Sequence, residues 1–110
     1  MSITCQSHDG TAHVSIEGEM TIYTAAELGA VLLPLLADMQ NNGDDLAIDL
    51  SQVTEMDSAG LQLLMLSKRE SQRAGKVLRL DGHSQAVLET FELCNLAPYF
   101  GDPLILAPIG

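Results

Sequence analysis

The chain is short of several things, and each shortage narrows what it can be. Trp is absent, and only two Phe and two Tyr occur among 110 residues. A core must therefore be aliphatic, built from Leu, Ile, Val, Ala and Met. Apolar residues still make up 46% of the chain, enough for one domain to fold without disulfide or metal staples. Basic residues are scarce, with five Lys and Arg against fifteen Asp and Glu and a formal charge of −10. That argues against nucleic acid and against an anionic membrane surface, since both need clustered Lys and Arg. It suits a protein partner that is locally basic, and the acids are scattered rather than gathered in a tail. Cys5 and Cys94 are the only cysteines and match no metal or redox spacing. They read as reduced, half-buried thiols of a cytoplasmic protein. The longest apolar run, "AVLLPLLA", is too short to span a bilayer. "MSITCQSHDG" has neither the positive segment nor the apolar run of a signal peptide, so no direct membrane insertion is expected. Linkers, repeats and low-complexity tracts are missing too, and residues 1–110 read as a single domain.

What is present is a regular alternation of elements. "SITCQ" and "TAHVSIEGE" read as strands around Asp9-Gly10, a strong hairpin turn pair. In the second, Ala12, Val14 and Ile16 alternate with His13, Ser15 and Glu17. Thr24 and Glu27 have capping-box spacing, and Leu28, Val31, Leu32, Leu35, Leu36 and Met39 form one helical stripe assigned to the core. Pro34 sits inside that stripe, so a kink or break is expected near Ala30 to Leu33. "NNG", Asn41 to Gly43, ends the helix. "LAIDL" is a third strand, "SQVTEM" a short loop, and "SAGLQLLMLSKRESQRAG" a helix stopped by Gly75. "KVLRLDG" is a fourth strand, with Leu78 and Leu80 inward and Arg79 outward. Ser84 caps a last helix with Val87, Leu88, Phe91 and Cys94 buried, and Leu104 to Leu106 could add an edge strand. An N-terminal hairpin followed by βαβαβα predicts an α/β fold. Its sheet is small, mixed and four- to five-stranded, with parallel neighbours after the hairpin. Strands buried on both faces read as continuous apolar runs; these alternate, so the helices lie mainly on one face and the other stays wet.

Function in such folds gathers at the carboxyl ends of the strands. Ser51 to Gly60 lies there. Asp57 or Ser58 would cap the helix, and capping alone explains most such pairs. Gly60 would let the first turn approach its neighbour. Two features go beyond a cap. Leu61, Leu63, Leu64, Met65 and Leu66 cover nearly the whole circumference of the helix. Either neighbouring helices cover the surplus, or its first turns carry an exposed apolar patch. A hydroxyl at a helix N-terminus also suits phosphate, because unpaired N–H groups and the helix dipole favour negative charge.

"LAIDLSQVTEMDSAGLQLL" resembles the signature of the STAS domain, the family of bacterial anti-sigma factor antagonists. Asp49-Leu50, Asp57-Ser58-Ala59-Gly60 and Leu61 match the family pattern in place. Gly18, Glu19, Thr24, Ala25 and Leu28 match its strand end and helix start, and Thr21 stands where many members carry Asp. The resemblance covers almost the whole chain. It implies a small sheet with helices packed on one face, and a protein that is no enzyme and needs no cofactor. It implies binding to an anti-sigma factor serine kinase, phosphorylation at Ser58 with release of that partner, and reversal by a phosphoserine phosphatase. The partner surface would draw on Met56, Asp57, Ser58, Ala59, Gly60 and Leu61, with Glu19, Thr21, Tyr23 and Thr24 beside them. Thr24 reads as a cap before it reads as a contact, and Met56 and Leu61 are either core or the apolar centre of the surface. STAS domains also serve as unphosphorylated adaptor subunits of chemotaxis or lipid-transport assemblies, and that is the alternative.

Other chemistries have less to stand on. Asp57, Ser58 and His83 could suggest a hydrolase, but the serine lies outside G-x-S-x-G and nothing marks an oxyanion hole. His8, His13 and His83 lack metal-ligand spacing, and no Gly-rich phosphate loop suggests a nucleotide.

Overall fold

The computed structural model describes residues 1–42 and 45–94, with side chains except at 39–42 and 94. Its elements in chain order are β1 (Ser2–His8), β2 (Thr11–Met20), α1 (Ala25–Asn42), β3 (Asp45–Met56), α2 (Ser58–Arg73), β4 (Leu78–His83) and α3 (Gln85–Cys94). The four strands form one mixed sheet in the order β1-β2-β3-β4. β1 runs antiparallel to β2, and β2, β3 and β4 are parallel. The hairpin turns on Asp9 and Gly10, whose φ values of 50° and 77° are the paired left-handed residues of a tight two-residue turn. The fold class read from the alternation is the one observed.

Among the described residues the core is one aliphatic cluster with a single ring in it. Ala12, Val14 and Ile16 of β2, Leu46, Ile48 and Leu50 of β3 and Leu80 of β4 face Leu28, Leu32 and Leu36 of α1. Leu61 and Leu64 of α2, Val87 and Phe91 of α3, and Met20 and Val53 in the second halves of β2 and β3 belong to it as well. α1 and α2 pack on each other, and α3 lies against β3. On the opposite face, matched positions form polar rows. Thr4, Ser15, Asp49 and Asp81 stand in register, and so do Gln6, His13, Ala47 and Arg79. Ala47 is the buried member of those rows, flanked by the longer side chains of its neighbours. Ser84 accepts the Val87 N–H at 3.2 Å and caps α3 as expected. Gly75 ends α2 with φ of 70°. Among the described residues, no helix is long and apolar enough to cross a membrane.

Several expectations need correction. "SQVTEM" is not a loop, because β3 runs on through it to Met56. Its second half pairs with Glu17 to Met20 of β2 across two register shifts, the second of which falls at Gly18, whose φ is 95°. Pro34 does not break α1, which is continuous across it. Ala30, whose carbonyl loses its partner to Pro34, is exposed, so water can take the bond. Val31 is exposed, not core, because the stripe that faces the sheet narrows to Leu28, Leu32 and Leu36 with Leu35 partly buried. Thr24 stands just before α1, but its hydroxyl donates to the Glu19 carbonyl at 2.9 Å. It is turned back on the preceding strand rather than forward in a capping box. Cys5 is exposed, since edge strand β1 buries little beyond part of Ile3. The strand at Leu104 to Leu106 and the side chains of Met39 and Cys94 lie outside the described residues.

Candidate functional site

The carboxyl ends of β2 and β3 meet at one edge of the sheet. Met20 is in register with Met56, and Glu19 with Glu55. The chain leaves β2 into the turn Thr21–Thr24 and leaves β3 into α2, so two separate loops share one corner.

Asp57 is the residue that joins them. It is the N-cap of α2, in extended backbone with φ of −126°. Its Oδ1 accepts the N–H groups of Ala59 at 2.9 Å and Gly60 at 3.3 Å. Its Oδ2 accepts the N–H of Ile22 at 3.0 Å, across to the other loop. Its own N–H donates to the Met20 carbonyl at 3.2 Å. These donors, the Ile22 amide foremost, hold the Asp57 carboxyl below its ordinary pKa, with partial desolvation opposing them. The carboxylate is therefore ionised and engaged on both oxygens at neutral pH.

Gly60 makes the corner tight. A Cβ there would land on the Met20 carbonyl oxygen and lie 2.8 Å from the Met20 Cβ. Only a residue without a side chain lets the first turn of α2 come this close to the end of β2.

With Asp57 as the cap, Ser58 becomes the first residue of α2, and it is exposed. Of the other residues singled out in the sequence, Tyr23 is exposed, while Glu19, Thr24, Met56 and Ala59 are half-buried. Thr21, Gly60 and Leu61 are buried. Thr21 sits under the turn, with its hydroxyl accepting the Tyr23 N–H at 3.3 Å. Leu61 belongs to the core, and Met56 packs against it. The surplus apolar residues of α2 are covered rather than exposed. Leu63 and Met65 pack partly buried against the core, and Leu63 also lies by Gly29 of α1.

The apolar surface at this corner comes instead from the neighbouring turn. Ile22 is 70% exposed and Tyr23 88%. Ile22 was not among the residues picked out by sequence. The available signal was a large aliphatic residue between Thr21 and Tyr23, out of phase with the helical stripe that follows. His83, half-buried at the end of β4, packs edge-on to Phe91 with ring centroids 5.9 Å apart.

Comparison with known proteins decides the family. The family model described as "Mlab, STAS domain" matches residues 3–105. This chain belongs to the STAS domain family. Among curated relatives, the STAS domain is similar to the anti-sigma-B factor antagonist of Staphylococcus epidermidis. The two are 30% identical over 96 residues, which span 87% of this chain and 86% of the relative. The anti-sigma-B factor antagonist of Bacillus subtilis (strain 168) is 28% identical over 96 residues, 87% of this chain and 84% of its own. A solved anti-sigma factor antagonist from Mycobacterium paratuberculosis superposes with a TM-score of 0.74 and 27% identity, covering 92% of this STAS domain and 83% of that chain. The unphosphorylated form of the anti-sigma factor antagonist SpoIIAA gives a TM-score of 0.65 at 16% identity, covering 84% of this chain and 83% of that one, and so speaks for the fold.

Proposed function

We propose that this STAS domain is a phosphorylation-controlled protein–protein switch of the anti-sigma factor antagonist kind. Unphosphorylated, it binds a serine-kinase anti-sigma factor. Phosphorylation at Ser58 releases that partner, and a phosphoserine phosphatase restores binding. The observation that carries this reading is the division of labour at the head of α2. Asp57 does the capping, so the Ser58 side chain is exposed and left over from folding.

The physical consequence follows from charge. A phosphoryl group adds about −1.5 to −2 units. The N-terminus of α2 favours that charge by about 0.3–1 kcal/mol, and adjacent Asp57 opposes it. The two nearly cancel within the domain, so its stability changes little. At an interface they do not cancel. A dianion pressed against an apolar or acidic partner surface has to be desolvated without a counter-charge, which costs several kcal/mol. The fold survives and the complex comes apart.

The deciding experiment is incubation with ATP and an extract of the source cells, followed by phosphosite mapping, with Ser58→Ala and Ser58→Asp measured for melting and for partner binding. Label on Ser58, loss of binding in Ser58→Asp and unchanged melting are the expected results. Absence of label on Ser58, with stable capture of a transport or chemotaxis subunit, would favour the fixed adaptor instead. Melting of Ser58→Asp with a normal Ser58→Ala would defeat the interface account.

A further inference from the structure

The two edges of the sheet are built differently. Along β4, Arg79 and Asp81 form an ion pair at 2.7 Å, and Gly82 at φ of 69° is the extra residue where the register with β3 shifts. Charges and a bulge are common means by which an edge strand keeps a second chain away. β1 has neither. It pairs with β2 without a shift, and Ser2–His8 contains no Asp, Glu, Lys, Arg or Pro, in a chain where acids outnumber bases fifteen to five. All of β1 is exposed except Ile3, which is half-buried, and among the described residues no strand lies on its outer side. The hairpin fixes which backbone groups point there. His8 and Thr11 flank the two-residue turn and exchange both hydrogen bonds, and every second position of an antiparallel pair does the same. Ser2, Thr4, Gln6 and His8 therefore bond inward to β2, while Ile3, Cys5 and Ser7 turn N–H and C=O outward.

We propose that β1 is a self-pairing edge, through which two copies of this chain join antiparallel with Cys5 opposite the partner's Cys5. The occupant is a second copy because the outward groups are self-complementary about Cys5, the middle residue of β1. In that register Ile3 lies opposite the partner's Ser7 and Ser7 opposite the partner's Ile3, so every outward-bonding residue of the strand is used. Sliding to the next permitted register on either side leaves Ser7 or Ile3 unbonded. Thr4 and Gln6 come opposite the partner's Gln6 and Thr4, within reach for a side-chain amide to meet a hydroxyl. No carboxylate faces another along the strand, so this neutral strip is where two molecules of charge −10 can meet. Asp38 of α1 acts on the Cys5 thiol from the helix side. Joining two copies brings that charge nearer its counterpart, so salt should strengthen the pairing. The join doubles the four-stranded sheet, keeps the helices of both copies on one side, and sends the two α2 heads to opposite ends, clear of the contact. It needs nothing from phosphorylation at Ser58.

The outward N–H of Cys5 can be removed by itself. Cys5→Pro deletes that donor and leaves the hydrogen bonds of the hairpin in place, because proline is tolerated where an edge N–H faces solvent. Cys5→Ser keeps the backbone and changes only the side chain. The test is sedimentation equilibrium over a range of protein concentrations, under reducing agent, with the melting of each variant measured alongside. Wild type and Cys5→Ser are expected to dimerise, more tightly at high salt than at low. Cys5→Pro should weaken the dimer roughly tenfold, since both symmetry-related hydrogen bonds at its centre are lost. A short bis-maleimide should link Cys5 to the partner's Cys5 in wild type, identified by mass spectrometry of the cross-linked peptide. Amide exchange at Ile3, Cys5 and Ser7 should slow as wild type is concentrated. A wild type that stays monomeric throughout, a dimer lost in Cys5→Ser, a dimer of equal strength in a folded Cys5→Pro, or a dimer without the Cys5 cross-link would each overturn the proposal. If Cys5→Pro does not fold, exchange in wild type decides: rates at Ile3, Cys5 and Ser7 that ignore concentration defeat the pairing, and rates that fall with it uphold it.

Discussion

Helix α2 carries serines at both ends, and the two groups are used in opposite ways. At the tail, Ser67 and Ser71 are buried, and their hydroxyls donate back to the carbonyls of Leu63 at 2.8 Å and Ser67 at 2.9 Å. They are small, self-satisfied residues of a helix that packs against α1, β3 and β4. At the head, Ser58 is exposed, and the capping it could have done is done by Asp57. The difference teaches that a serine is informative by what its surroundings leave for it to do. Burial and a back-bond mark the tail serines as packing. Exposure beside a residue that already performs the local task leaves Ser58 without the capping role its position would suggest.

That contrast can be broken at graded cost. Gly60→Ala should have the largest effect. A methyl group driven into the Met20 carbonyl forces the head of α2 off the sheet, and thermal or denaturant unfolding should show a loss of about 3 kcal/mol. At the tail, Ser71→Leu should cost about 2 kcal/mol by overpacking, whereas Ser71→Ala should stay within about 0.5 kcal/mol, because the removed hydroxyl bonds a carbonyl of its own helix. Asp57→Ala removes the cap and should cost about 1 kcal/mol in the same unfolding measurement. Ser58→Asp should move stability by no more than about 0.5 kcal/mol, as exposed substitutions do. A larger loss would mean that the head serine is structural after all.

The smallest effect is a dependence on acid. The Asp57 carboxyl is held below its ordinary value by the Ile22 amide and the helix-head amides. Its contribution is therefore complete above the unfolded carboxylate value of about 3.9 and is lost as pH falls through the lower folded value. Melting curves of wild type and Asp57→Asn should differ by a constant amount near neutrality and converge as the pH drops below that range. A difference that widened on acidification would reverse the sign and contradict the bonding seen at Oδ2.

Much of this was legible in the residues, and the misses have physical causes. Asp9-Gly10, the alternation of Ala12, Val14 and Ile16, and the Ser84 cap are local signals, and each appears where the sequence puts it. Asp57-Ser58-Ala59-Gly60 was recognisable as a helix head, but not which of its two candidates was the cap. The Ile22 amide, which helps to select Asp57, arrives from a different loop. The second half of β3 was missed because Val53 alone is buried among Ser51, Gln52, Thr54 and Glu55, and the pairing that makes it a strand runs through two register shifts that each leave an extra residue on β3. Val31 was misplaced because helical spacing gives a stripe but not its width, and α2 covers only part of it. Ile22 escaped notice because an exposed aliphatic in a turn has no periodicity to announce it.

The Asp9-Gly10 turn has a practical consequence. It opens β2 next to Asp45, whose N–H donates to the Gly10 carbonyl at 2.9 Å, while Ser58 stands two residues beyond Met56, the last residue of the parallel neighbour β3. Nine strand steps at about 3.3 Å separate those two ends of the sheet, roughly 30 Å. A dye, affinity handle or surface tether inserted at the hairpin would leave the exposed Ser58 at the far end untouched, so immobilised protein could report attachment and departure of the proposed partner without disturbing the corner assigned to it.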